Sequence, residues 1–415
     1  MGALERDDRA VWDLVVRERD RQRSTLNLIA SENTAPAAVN EAHGSIFGNK
    51  TAEGYPGRRY HRGTVVTDDL ETLAIERAKA LFGAEHANVQ VHAGVNANLA
   101  VYQAALRPGD RVIALDLDHG GHLSHGASAS ITSRILDVRH YGVRPDTEQI
   151  DLDDVRALAL EHRPRMIVTG GSSYPRLIDY AGFRAVADEV GATLLVDMAH
   201  IAGLVAADVV PSPVPHADFV TFTTYKTLNG PHGGIVLCRA EHARALDRAV
   251  FPGTQGAPSV SGIAAKAVAL QLATTAAFRE VQARTVRNAQ VLAAALGDRG
   301  FRVVTGGTDT HQVLVDLRSR GLTGDVAEVR LEAAGLLVNR NVIPFDPEST
   351  SVTSGIRIGT PGVTVRGFGD AEMATLAELM DQTLRAAPDA PPDPDVLAAV
   401  AKLCAAHPLT GRDLD

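Results

Sequence analysis

The chain of 415 residues has only two cysteines, Cys238 and Cys404, which lie far apart in the sequence. This scarcity excludes a disulfide framework and a zinc site built from cysteines. No apolar run approaches the ~18 residues that a membrane helix needs. The first eight residues offer no apolar core for a signal peptide, and the formal net charge of −9 argues against nucleic-acid and membrane partners. We therefore expect a cytoplasmic protein that acts on small molecules.

Histidine is plentiful, and His119, His122 and His125 fall in one glycine-rich loop. No glutamate-bearing helix of the HExxH kind accompanies them. A metal site is therefore the weaker interpretation of this cluster, and no metal is expected.

Apolar strand-like runs alternate with helical patterns through the first two thirds of the chain. This alternation predicts crossover connections and a mainly parallel sheet that is buried on both faces. A helix over 66–82 is expected to begin at the cap Thr67 and to stop at Gly83. The predicted strands are 111–115, 166–169, 193–196, 219–222 and 234–237.

The last third has a different pattern. An alanine-rich segment, 262–296, is predicted to form one long helix that leads out of the first domain. Beyond it, shorter elements indicate a smaller α+β domain. Its predicted strands are 301–304, 312–317 and 355–358, and its predicted helices are 324–334 and 370–384.

Lys226 stands between the predicted strand 219–222 and a glycine-rich turn, while Asp197 and His200 follow the strand 193–196. Ligand sites in parallel sheets lie beyond the carboxyl ends of the strands, so these side chains are expected to meet. Pyridoxal phosphate requires an amine for its aldehyde and a carboxylate for its pyridinium nitrogen. The pattern indicates a Schiff-base enzyme, although a lysine taken alone is more often a solvated surface charge.

Five glycine-rich or polar loops, 30–33, 50–60, 92–98, 119–125 and 251–258, are each explicable as a tight connection. Together they are better explained by one shared polar site. Six segments of the chain resemble the serine hydroxymethyltransferase family, and they follow one another in order along nearly the whole chain. The resembling motifs are LIASEN (28–33), AEGYPGRRY (52–60), HGGHL (119–123), VDMAHIAG (196–203), FPGTQG (251–256) and TSGIRIGTP (353–361).

The resemblance implies an α/β protein of pyridoxal-phosphate fold type I, the aspartate-aminotransferase-like fold. Its large domain has a mainly parallel seven-stranded sheet, and its smaller C-terminal domain is α+β. We place an N-terminal arm at 1–50, the large cofactor-binding domain at 51–280 and the small domain at 281–415.

The resemblance also implies roles for single residues. Lys226 matches the lysine that holds the cofactor aldehyde, and Asp197 matches the carboxylate that keeps the pyridine nitrogen protonated. His122 is expected to stack on the cofactor ring and His200 to lie near its phenolic oxygen. Arg357 matches the arginine that binds the substrate carboxylate, a bidentate task that lysine performs poorly.

Glu53 matches the carboxylate that the family assigns to proton transfer in the aldol step and supplies from the partner subunit. A homodimer with shared active sites is therefore implied, and two dimers could pair into a tetramer. Further contacts to the cofactor are expected from Thr51, Gly94, Val95, Ser172, Thr223 and Gly256, and to the substrate from Ser31 and His61. Contacts to tetrahydrofolate are expected from Tyr60, Leu117, Gly121 and Asn341.

The chain departs from the family pattern around the expected cofactor. The departures are Thr51 and His61 for tyrosines, Ala93 and Val95 for serines, Tyr225 for a histidine, His232 for an arginine and Ala257 for a glycine. Each lost hydrogen bond to a phosphate is expected to weaken binding by roughly 1.5–3 kcal/mol. The backbone N–H groups of 94–96 and the side chains of Asn96 and Thr51 are the expected substitutes. Because Lys226, Asp197 and Arg357 are kept, we interpret the site as reshaped but working.

The implied activity is the reversible cleavage of serine to glycine, with transfer of one carbon unit to tetrahydrofolate. The altered residues leave open a biosynthetic transaldolase or aldolase that adds glycine from serine or threonine to another aldehyde, and an α-methylserine hydroxymethyltransferase. A catalytically weakened scaffold is a further alternative, and its sole support is the loss of hydrogen-bond donors from the loop expected to bind the phosphate. A response of glycine release to tetrahydrofolate would separate these hypotheses.

Overall fold

The computed structural model describes residues 2–386 and 390–409. In chain order, the strands are β1 (Leu26–Asn27), β2 (Gly54–Tyr55), β3 (Arg58–Arg59), β4 (His86–Asn88), β5 (Arg111–Leu115), β6 (Asp137–Tyr141), β7 (Met166–Thr169), β8 (Thr193–Asp197), β9 (Phe219–Thr223), β10 (Gly234–Cys238), β11 (Arg302–Val303), β12 (Gln312–Asp316), β13 (Leu336–Leu337), β14 (Asn339–Asn341) and β15 (Gly355–Gly359).

The helices in the described part of the chain are α1 (Ala3–Asp7), α2 (Arg9–Ser24), α3 (Ala37–His43), α4 (Val65–Phe82), α5 (Gly94–Ala105), α6 (Thr132–Ile135), α7 (Leu152–His162), α8 (Tyr180–Val190), α9 (Ala202–Ala206), α10 (Ala243–Arg248), α11 (Val260–Leu272), α12 (Ala276–Asp298), α13 (Gly324–Ala333), α14 (Pro361–Thr364), α15 (Asp370–Arg385) and α16 (Pro394–Ala406).

Seven strands form the central sheet, in the order β4-β10-β9-β8-β7-β5-β6. The five strands from β9 to β6 pair in parallel, and β10 runs antiparallel to both of its neighbours. The inner strands β7, β9 and β10 are buried along their whole length, because helices cover both faces of the sheet. The predicted α/β fold with a mainly parallel seven-stranded sheet is confirmed.

Helix α4 begins one residue before the predicted start, and its predicted cap is wrong. Thr64 occupies the N-cap position, and Thr67 lies one turn inside the helix, where it is buried. Gly83 ends the helix as predicted. Its φ of 66° is left-handed, which glycine adopts without the steric cost of a Cβ atom.

The single long helix predicted over 262–296 is wrong, because α11 and α12 are two helices that meet at an angle of 83°. Each has its own N-terminal cap: Ser259 accepts from the N–H of Gly262, and Thr275 accepts from the N–H of Phe278. Among the described residues, no single helix is long and apolar enough to cross a membrane. By length and composition alone, only this bent pair together could do so.

A second, antiparallel sheet of four strands has the order β11-β12-β15-β14. Helices α12, α13, α15 and α16 enclose a core with it, and Leu26 and Leu28 of the N-terminal segment belong to that core. Leu26 pairs in parallel with Leu336 through β1 and β13. The smaller α+β unit is therefore present. The proposed domain limits stay predictions: the limit at 280/281 falls within α12, and those at 1 and 415 lie outside the described residues.

Candidate active site

A cavity opens where the carboxyl ends of β8 and β9 face the N-terminus of α5. Its lining combines residues from the ends of three parallel strands with the first turn of α5, which is where ligands bind in such sheets. Eight of the predicted site residues line it: Gly94, Val95, His122, Ser172, Asp197, His200, Thr223 and Lys226.

Lys226 lies three residues beyond β9 and is only 7% exposed. Its carbonyl oxygen accepts a hydrogen bond of 3.0 Å from Asn33 Nδ2, which fixes the backbone of the turn. Burial lowers the pKa of Lys226 to about 8, against an opposing attraction from Asp197. About a tenth of the lysine population is therefore neutral at pH 7, and only the neutral amine is nucleophilic.

Asp197 is the last residue of β8, and three donors hold its carboxylate. Its Oδ2 accepts from Asn98 Nδ2 at 2.8 Å and lies 3.1 Å from His125 Nε2, while its Oδ1 accepts from the N–H of Ala199 at 3.0 Å. Burial alone would raise the pKa of Asp197, but the neighbouring His125, His122 and Asn98 outweigh it and hold the pKa well below its usual range. The carboxylate is thus a fixed negative charge in the cavity.

The supporting residues His125 and Asn98 were not predicted to have these roles. In the sequence, His125 stands out only as one of three histidines in a glycine-rich loop, and Asn98 only as the last residue of the polar loop 92–98. His122, His125 and Asp197 also bring possible ligand atoms within 4.8 Å of one another, a spacing that a metal ion could use. The expectation of no metal remains a prediction.

His122 and His200 are both held neutral by burial. Burial lowers the pKa of His122 to about 4, and its Nδ1 lies 2.7 Å from Ser124 Oγ. Burial also holds the pKa of His200 well below its usual value. The His200 ring stacks on His311, with centroids 5.6 Å apart and planes 15° apart, and His311 is a neighbour that no motif indicated.

Arg357 comes from β15 of the small sheet and reaches the loop that follows β7. Its Nη1 donates to the carbonyl of Ser172 at 2.5 Å, and its Nε donates to Asn339 Oδ1 at 3.3 Å. Burial lowers the pKa of Arg357 to about 10, so the guanidinium stays charged at neutral pH. The fork therefore stands beside the cavity as a cation that can bind a carboxylate.

The first turn of α5 forms a close-fitting cradle. A Cβ atom at Gly94 would lie 2.7 Å from Thr223 Cγ2, so a larger residue would displace the wall of the cavity. The first N–H groups of any helix have no intrahelical acceptor and carry the positive end of the helix dipole. This turn therefore suits an anionic group such as a phosphate.

A separate group forms around Glu53. The N–H of Glu53 lies 3.4 Å from His61 Nδ1, and a Cβ atom at Gly256 would lie 3.7 Å from Glu53 Oε1. Thr51 is exposed beside them. None of these four residues lines the Lys226 cavity in the described part of a single chain.

The remaining predicted residues also lie outside the lining of that cavity. Tyr60 is 76% exposed and makes a T-shaped ring contact with Phe251, with centroids 5.6 Å apart. Gly121 is packed so tightly that a Cβ atom would lie 2.2 Å from the carbonyl oxygen of Leu115. Leu117 and Ser31 are half-buried, and Asn341 Nδ2 donates to the carbonyl of Val342 at 2.6 Å.

On this fold, the cavity has the groups that a pyridoxal-phosphate enzyme of fold type I requires. It holds a buried lysine of lowered pKa and a fixed carboxylate, and a helix N-terminus beside them can bind an anion. Comparison with known proteins agrees. The family described as serine hydroxymethyltransferase matches residues 4–380. A serine hydroxymethyltransferase of Coprothermobacter proteolyticus is 57% identical over 379 residues, which cover 91% of each chain.

The chain belongs to the serine hydroxymethyltransferase family. It is a pyridoxal-phosphate-dependent transferase of a family that uses tetrahydrofolate as cosubstrate. The predicted interconversion of serine and glycine with one-carbon transfer is therefore confirmed, and the transaldolase alternative is not favoured. The family is generally oligomeric and binds amino acid and folate substrates.

The lowered pKa of Lys226 gives an expected pH profile. Only the neutral amine attacks an aldehyde, so the rate at which the apo protein captures pyridoxal phosphate should rise about tenfold per pH unit below pH 8 and level off above it. Stopped-flow absorbance of the bound cofactor measures this rate, with Nα-acetyl-lysine as the control. A protein rate that follows acetyl-lysine and keeps rising to pH 10 would contradict the assignment.

Proposed function

We propose that the residues around the Lys226 cavity catalyse the cleavage of L-serine to glycine. When bound, pyridoxal phosphate supplies an aldehyde for an amine and a ring that accepts the electron pair released when a bond to Cα breaks. The observation that carries the assignment is that Lys226, Asp197 and the N-terminus of α5 meet in one cavity with Arg357 beside it.

Asp197 and the first turn of α5 would hold the two ends of the cofactor. The fixed negative charge of Asp197 favours a protonated ring nitrogen, which makes the ring a better electron acceptor. The N–H groups from Gly94 onward would bind the phosphate. Because Ala93 and Val95 offer no hydroxyl groups, this task falls to backbone donors, which need no particular side chain. Asn96 and Thr51, whose side chains were also expected to help, do not line the cavity of their own chain.

Arg357 would bind the carboxylate of the substrate. A bidentate guanidinium fixes both oxygens of the carboxylate, and this orients the bond between Cα and Cβ for cleavage. To do so, the guanidinium exchanges part of its bonding to Ser172 and Asn339 for the substrate. His122 and His200, both neutral, add packing without a competing positive charge.

Glu53 would act in the active site of the partner subunit. Its position among His61 and Gly256, outside the cavity of its own chain, supports supply from the partner. We therefore propose a homodimer with two shared sites, and size-exclusion chromatography with light scattering tests it.

We also propose a cytoplasmic location, based on the low cysteine content.

Replacing Glu53 by glutamine should leave cofactor binding unchanged and slow glycine formation from serine by about 10²- to 10⁴-fold. The reason is that the amide that replaces the carboxylate cannot accept a proton. Glu378→Gln, at an exposed position of α15, is the matched control. Turnover and cofactor affinity are measured separately for both variants. An equal loss of both in Glu53→Gln would contradict the role in proton transfer.

Supply of Glu53 from the partner can be tested by mixing two inactive variants. Co-expressed Lys226→Ala and Glu53→Gln chains form hybrid dimers that contain one intact site if Glu53 acts across the interface. Such hybrids should recover up to half of the normal activity. If Glu53 acts within its own chain, no hybrid site is complete and the mixture should stay inactive.

The activity itself is tested by glycine release from L-serine with the cofactor-loaded protein, with and without tetrahydrofolate, and from L-threonine alongside. Strong stimulation by tetrahydrofolate with serine supports one-carbon transfer. Glycine from threonine with no response to tetrahydrofolate would overturn this proposal and favour an aldolase.

A further inference from the structure

Lys266 of α11 lies outside the cavity but beneath the two loops that form it. The side chain is buried, at 4% exposure, and takes no part in the reaction assigned above. Its Nζ donates to the carbonyl oxygens of Val89 at 2.7 Å, Val91 at 2.9 Å and Gly234 at 2.9 Å. Three acceptors are what a protonated amine can satisfy, and a buried amine is costly without them.

The first loop that Lys266 holds leads into α5. Two of its acceptors, Val89 and Val91, lie in the segment that ends at Ala93, the N-cap of the helix. The N–H of Gly234 also donates to the carbonyl of Val91 at 3.2 Å. The contact there is close, because a Cβ atom at Gly234 would lie 2.9 Å from the Ala93 carbonyl oxygen. The start of α5 is therefore joined to β10 through Lys266.

The second loop carries Lys226. Gly233 rests on the stem of Lys266, where a Cβ atom would lie 2.5 Å from Lys266 Cε. The carbonyl of Gly233 accepts from the N–H of Thr224 at 3.1 Å, and Thr224 precedes Lys226 by two residues. The position of the Lys266 side chain therefore affects the position of the turn that carries the reactive amine of Lys226.

We propose that Lys266 is a positioning residue that fixes the N-terminus of α5 relative to the Lys226 loop. A phosphorylated aldehyde must reach both places at once, since its phosphate belongs at the helix start and its aldehyde at Lys226. This inference rests on the proposed binding of pyridoxal phosphate in the cavity. Lys266 contributes to affinity by holding the two half-sites at the separation that the cofactor spans.

The test compares the affinity of apo protein for pyridoxal phosphate in three variants. Lys266→Met keeps the length of the side chain and removes all donors, and Lys266→Gln keeps an amide donor. The control is Asn288→Leu in α12, which removes a fully buried donor that binds Thr364 Oγ1 at 2.8 Å and the Phe368 carbonyl at 3.0 Å, away from the cavity.

The dissociation constant for pyridoxal phosphate should rise about ten- to hundredfold in Lys266→Met, less in Lys266→Gln and less than twofold in Asn288→Leu. In apo Lys266→Met, the amide of Gly234 should also exchange its hydrogen faster, because its acceptor segment is released. Unchanged affinity in the Lys266 variants, or an equal loss in Asn288→Leu, would overturn the proposal.

Three further outcomes also decide between the proposals. If Lys266→Met does not fold, Lys266→Gln decides by the same comparison with Asn288→Leu. If the unmodified protein binds no pyridoxal phosphate, the proposed function fails. Wild-type affinity in both Lys266 variants, with tight binding by the unmodified protein, refutes the role of Lys266 alone.

Discussion

Replacing Lys226 by alanine is expected to abolish covalent capture of the cofactor and to lower turnover of serine at least about 10³-fold. The residue is buried three residues beyond β9 and holds an amine of lowered pKa in the cavity. Alanine leaves the cavity open but supplies no nucleophile. The measurement is the mass of the protein after borohydride reduction, together with the rate of glycine formation.

Peptide mapping can assign the label to a single residue, because the chain contains only five lysines: Lys50, Lys79, Lys226, Lys266 and Lys402. In the unmodified protein, the reduced cofactor should be found on the peptide of Lys226. Lys402→Ala, at an exposed position of α16, is the control and should keep both the label and the activity. Label on a different lysine, or normal turnover without Lys226, would refute the mechanism.

The second large effect is expected for Asp197→Asn, which should lower turnover about 10²- to 10⁴-fold. Asparagine has nearly the same size but carries no charge, so a bound ring nitrogen would lose the partner that keeps it protonated. Its amide NH₂ would also face the donors of Asn98 or His125, which now bond to Asp197 Oδ2. The visible spectrum of the bound cofactor and the turnover number report the change.

The control for this variant is Asp316→Asn in the small sheet. Asp316 is also buried and forms two ion pairs, one with Arg302 and one with Arg318. Its replacement should lower thermal stability while turnover per bound cofactor stays unchanged. If both substitutions lower turnover equally, loss of stability rather than the charge at Asp197 explains the result.

The interior of the fold was predictable because the inner strands of its central sheet are mainly apolar. β5 and β7 have the predicted ends, and β8, β9 and β10 are each one residue longer. The outer strands β4 and β6 were missed for physical reasons. β4 has three residues, and the edge strand β6 has charged and polar side chains (sequence DVRHY) that resemble a loop.

The candidate site was predictable where strand ends and motifs coincide, as at Lys226 and Asp197. The parts that were missed are residues whose role depends on distant contacts. Asn98, His311 and Lys266 each have partners that are distant in the sequence, so the spacing of residues along the chain does not indicate these contacts. The break between α11 and α12 was missed because alanine-rich sequence continued on both sides of the caps.

The pairing of β1 with β13 has a consequence for biosynthesis on the ribosome. Leu26 and Leu28 are among the first residues to be translated, yet the surfaces that bury them are made more than 300 residues later: the carbonyl of Leu28 accepts from the N–H of Gly359. Until those residues have been synthesised, this apolar segment cannot be buried. Vectorial synthesis therefore leaves it exposed longest, and a nascent chain stalled before residue 359 should be the species that chaperones recognise.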